Sequence, residues 1–72
     1  MGNSYLQVDQ WIGTKAQKFR NEELKLTQAE LAEKVGVSRV SIARFELGLQ
    51  HSTKIFDYLI SVGFKPYTAM EG

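Results

Sequence analysis

The chain has 72 residues, enough for one small domain whose modest core leaves stability marginal unless it oligomerises. Nine Lys and Arg against eight Asp and Glu give a net charge of only +1, which argues weakly against a nucleic-acid partner unless the positive groups share one face. Cysteine is absent and histidine occurs once, so disulfide staples and thiolate metal sites are excluded.

The opening MGNSYLQ has neither the charged-then-apolar layout of a secretory leader nor the Ser or Thr at the sixth position expected of an acylated terminus. No apolar run approaches the roughly 20 residues that span a bilayer, so a cytoplasmic protein with no membrane partner is expected. Residues 1–7 read as a flexible, polar lead. From Val8 to Asn21, Val8, Ile12, Ala16 and Phe19 recur at i, i+4, i+8 and i+11, which predicts an amphipathic helix with Asp9 in its first turn. Gly13 weakens that helix by about 1 kcal/mol relative to Ala. Trp11 reads as a packing residue, in the core or half exposed.

After a connection over Asn21 to Lys25, Thr27 is an N-cap and Glu30, three residues on, completes a capping box. Leu31, Ala32 and Val35 then form an apolar stripe opposite Glu30, Glu33 and Lys34. Gly36 supplies the left-handed residue that ends a helix, and Val37 folds back as a hydrophobic plug. Ser38 is a second cap, and Ile42 with Phe45 give the next helix its inward face. Arg39, Val40, Ser41, Ala43 and Arg44 occupy its other faces. Two short helices across a tight turn, with small Ala32 where they cross, read as a helix-turn-helix whose second helix is offered to a DNA major groove.

The run LTQAELAEKVGVSRVSIARFELG, about a third of the chain, resembles the Xre/Cro/phage-repressor class of helix-turn-helix proteins. The resemblance implies an all-α, lambda-repressor-like bundle of about four or five short helices over residues 8–62, with the motif at 27–46. It also implies DNA-binding roles: Gln28 on the DNA backbone, Arg39, Val40 and Ser41 on bases, Arg44 one turn on, and Ser38 on a phosphate or simply capping. The family usually places a glycine before the Leu-Thr-Gln run and spaces the preceding arginine one residue closer. Here Lys25 takes the glycine position and the connection is one residue longer. Some members bury an ion pair between the first helix and the recognition helix. Arg20 and Glu46 are the candidates, against an exposed pair of little energetic consequence.

Beyond Gly48 a short connector precedes a third apolar helix, capped by Thr53 and carrying Ile55, Phe56, Leu59, Ile60 and Val62. His51 reads as a surface or phosphate-proximal side chain, since a metal site would need further ligands. Residues 63–72 alternate in polarity around Pro66 and read as a strand or arm at a sheet edge. Phe64, Tyr67 and Met70 are its candidate dimer contacts, against a disordered tail. A similar short strand occurs in Hip-type antitoxins.

The favoured function is a sequence-specific regulator of transcription: a homodimeric repressor that occludes a promoter by reading a pseudo-palindrome in double-stranded DNA. The alternative is an antitoxin that holds a toxin protein and autoregulates its operon. An enzyme is not expected, for there is no cysteine, no phosphate-cradling glycine loop and no carboxylate cluster, and no cofactor or metal is implied.

Overall fold

A computed structural model describes residues 4–66, with side chains described from Trp11 onward. Among the described residues it is all-helical. Helix α1 (Ser4–Phe19) runs without a break into a π-helical turn (Arg20–Leu24), followed by α2 (Gln28–Val35), α3 (Arg39–Glu46) and α4 (Thr53–Ser61). No strand occurs among these residues, and Tyr67 and Met70 of the expected arm lie outside them. None of the described helices is long and apolar enough to cross a membrane.

Helix α1 begins at Ser4 rather than Val8, so Asp9 lies inside the helix instead of in its first turn. At its other end the carbonyl of Arg20 accepts the N–H groups of both Lys25 and Leu26, the latter at 3.1 Å. This wide turn absorbs the extra residue of the connection. Lys25 then takes the left-handed conformation, φ 56° and ψ 43°, that a glycine would adopt with less strain.

The motif helices form where their caps dictate. Thr27 Oγ1 accepts from the Glu30 amide at 3.1 Å, while Glu30 Oε1 accepts from the Thr27 amide at 2.8 Å. Gly36, at φ 89°, closes α2 by sending its N–H to Ala32 O, which also accepts from Val37. Ser38 caps α3 through the Ser41 amide. The cap of α4 is Ser52 rather than Thr53, its hydroxyl accepting from Ile55 N at 3.2 Å.

The core gathers Ala16 of α1, Leu31, Ala32 and Val35 of α2, Ile42 and Phe45 of α3, and Ile55 and Leu59 of α4. Ile42 and Ile55 are sealed completely from solvent, and burying such a side chain is worth about 1.5–3 kcal/mol. Phe64, expected at a dimer contact, instead completes this core. It is only 4% exposed, and its ring lies 5.3 Å from that of Phe19 and 6.3 Å, edge to face, from that of Phe56. The chain turns back at Gly63, φ 110°, and the Phe64 amide donates to Leu59 O, which drives the aromatic ring inward. Trp11 is half-buried with the Lys15 ammonium 5.8 Å from its ring centre.

Gly13 marks the closest approach of α1 to α3. A Cβ there would stand 2.5 Å from the carbonyl oxygens of both Phe45 and Glu46, which are backbone atoms with little freedom to move. Helix propensity favours alanine at this position by about 1 kcal/mol, but the clash opposes it, and overpacking typically costs about 1–3 kcal/mol. Gly13→Ala should therefore lower the free energy of unfolding, measured by urea denaturation. Lys25→Gly should raise it by about 0.5–1 kcal/mol by relieving the left-handed strain; a loss of stability would show that Lys25 is not held in that conformation.

Candidate nucleic-acid interface

Helix α3 sorts its side chains by face. Ile42, Phe45 and Glu46 are buried, whereas Arg39, Val40 and Arg44 are exposed. Val40, 50% exposed, is an apolar side chain held in water between two arginines. Ser41 is half-buried, with its hydroxyl accepting from that of Ser38 at 3.1 Å. Ser38 thus caps the helix and Ser41 leans on the cap, while Arg39, Val40 and Arg44 form the outward ridge.

A polar cluster lies beneath this face. Arg20, at the end of α1, and Glu46, at the end of α3, are each 5% exposed. They meet in a two-pronged pair, Nε to Oε2 at 2.6 Å and Nη2 to Oε1 at 3.1 Å. The remaining Arg20 nitrogen, Nη1, donates to Leu26 O at 2.8 Å and Asn21 Oδ1 at 3.1 Å. The pair foreseen from the resemblance is therefore buried and fully hydrogen-bonded, and among the described residues no buried side-chain polar atom lacks a partner. The extra residue of the connection does not prevent it, because the π-helical turn keeps Arg20 facing α3.

Gln28, given a contact to the DNA backbone by the resemblance, is half-buried and makes two hydrogen bonds within the protein: Nε2 donates to Glu46 Oε1 at 2.9 Å, and Oε1 accepts from Arg39 Nη1 at 3.3 Å. A chain of hydrogen bonds thus joins Arg39 on the surface, through Gln28, to the buried pair. The sequence contains no local signal for these links, since Gln28 and Glu46 are 18 positions apart and belong to no shared periodicity. An open, shallow concavity beside this chain is lined by Arg20, Lys25, Thr27, Gln28 and Arg39 among others. It places three cations, of which Arg20 is neutralised by Glu46, and the capped start of α2, with its unpaired amides, on one side of the molecule. No group of His, Cys, Asp and Glu among the described residues is arranged to hold a metal ion.

A helix-turn-helix family model, HTH_3, matches residues 17–55, just over half of the chain, and the chain belongs to this Xre/Cro-type family of DNA-binding regulators. No curated protein and no solved structure matches it.

The geometry makes the two halves of the buried pair interdependent. Replacing Arg20 alone by Met should cost about 3–5 kcal/mol, because the Glu46 carboxylate then stays buried without its countercharge. Combining Arg20→Met with Glu46→Leu should restore much of that loss, since replacing both charges by apolar groups is often close to neutral. Denaturant titration of the three variants checks this; a double variant as unstable as the sum of the two singles would contradict it.

Proposed function

We propose that the protein is a sequence-specific regulator that binds double-stranded DNA as a homodimer and represses by occluding a promoter. The observation that carries this reading is the outward ridge of α3, where Arg39, Val40 and Arg44 are exposed, Arg39 with one nitrogen on Gln28, while Ile42 and Phe45 anchor the helix behind them. A ridge of this kind fits a major groove roughly 12 Å wide. Arg39 and Arg44 would pair with guanine O6 and N7, Val40 would pack against a thymine methyl, and Ser41 would meet phosphate or a base edge. Amides at the start of α2, together with Gln28 and Ser38, would meet backbone phosphates beside the groove. Two copies would place their ridges about 34 Å apart, one turn of the duplex, on a pseudo-palindrome.

A net charge this small supplies little general attraction to DNA. With a total of +1, affinity depends on where the cations sit, and few phosphate contacts per copy predict a shallow dependence on salt. An antitoxin role would add a protein partner to the same DNA-binding surface. Its sequence support lies in the arm, of which Tyr67 and Met70 fall outside the described residues.

A selection of genomic fragments by purified protein tests the reading. The wild-type chain should enrich a defined set of sites. Arg39→Ala and Arg44→Ala should each relax one base position at a loss of about 1–3 kcal/mol in specific binding. Equal retention of all fragments by the three proteins would remove sequence-specific regulation as the function.

A further inference from the structure

We propose that Glu46 is a specificity-determining positioning residue: acting through the amide of Gln28, the buried carboxylate fixes how Arg39 is presented to a base. This rests on the base-reading role of Arg39 given above and adds to it a device internal to the protein.

The argument starts from donors and acceptors. Glu46 Oε1 is a carboxylate oxygen and accepts only; the Arg39 guanidinium donates only. Gln28 sits between them, 2.9 Å from the first and 3.3 Å from the second. Only one orientation of its amide satisfies both neighbours, with Nε2 inward and Oε1 outward. The reverse would set oxygen against oxygen inside and nitrogen against nitrogen outside. Glu46 cannot itself swing away, because Arg20 grips both of its oxygens in a site 5% exposed. Buried geometry therefore dictates that an acceptor faces the DNA-reading arginine.

For Arg39 the consequence is a partly fixed rotamer before DNA arrives. One terminal nitrogen, Nη1, is engaged by Gln28 Oε1. The rest of the guanidinium fork remains available for a planar pair of acceptors such as guanine O6 and N7. Ordering the side chain in advance lowers the entropy lost on binding and sharpens the penalty for a base whose acceptors lie elsewhere. With a neutral amide at position 46, the inner contact would no longer demand a donor from Gln28, and its amide would be held in that orientation by the exposed Arg39 contact alone.

The test uses the full chain and a randomised duplex library, with wild type, Arg39→Ala, Gln28→Met, Glu46→Gln and the double variant Gln28→Met/Glu46→Gln, each checked for folding by circular dichroism. The base position whose preference disappears in Arg39→Ala defines the readout. If no such position exists, the base-reading role fails and the inference fails with it. If it exists, Gln28→Met and Glu46→Gln should each lower the preference there about fivefold or more while sparing other positions, and the double variant should lower it no further than the larger of the two; a folded Glu46→Gln that keeps the wild-type preference would overturn the proposal. A uniform loss across all sequences, with the salt slope falling by about one, would mean that Gln28 serves a phosphate contact alone, and would overturn the proposal while leaving the DNA-reading function standing. Should Glu46→Gln not fold, amide orientation is read on the wild-type protein by NMR. The Gln28 side-chain NH2 protons should show cross-relaxation to Glu46 and none to Arg39, and the opposite pattern would overturn the proposal.

Discussion

The arrangement of this small domain depends on one buried ion pair. Arg20, just past the first helix, and Glu46, at the end of the third, meet with Nε and Oε2 2.6 Å apart in an almost fully buried site. Such a pair is poor evidence for stability, because the cost of stripping water from two charges roughly cancels their attraction. Its contribution lies in geometry. The guanidinium also binds Leu26 O, just ahead of the cap of α2, and the carboxylate also binds Gln28, the first residue of that helix. A single cluster thus sets the positions of three helices. Ile42 and Phe45 decide which side of α3 is inside, and the pair fixes how the C-terminal end of that helix sits against α1 and α2.

A second constraint acts alongside it. Gly13 lets the backbone of α1 lie against the last carbonyls of α3, a contact that any Cβ would obstruct. Together, the glycine and the ion pair hold α3 at its C-terminal end, while its capped N-terminal turn projects outward. The end of the helix held by these contacts is therefore the opposite one from the capped turn that carries Arg39 and Val40.

Much of this was legible in the sequence because it is local chemistry. Thr27 with Glu30, Gly36 and Ser38 act on amides and carbonyls within a few residues, so the motif and its boundaries follow from reading along the chain. The features that escaped are those set by distant neighbours. Gly13 looks like a weak point by helix propensity, and only the approach of α3 reveals its use. Phe64, in an alternating tail, reads as an arm until the turn at Gly63 folds its ring between Phe19 and Phe56. The π-helical turn has no compositional mark either. It shows in the sequence only as one residue too many before Lys25, with a lysine where glycine is usual. Gln28 was placed on DNA by resemblance, whereas the buried carboxylate that engages it lies 18 residues away.

The most direct test of the central claim is an NMR titration of the labelled protein with a duplex recovered by selection, following backbone amides together with the Arg Nε groups. Perturbations should concentrate on Gln28 and on Ser38 through Arg44, with Arg20 Nε unchanged as the buried pair stays intact. Shifts centred on the exposed Ile60 and Val62 face of α4, with the first turn of α3 unmoved, would contradict it.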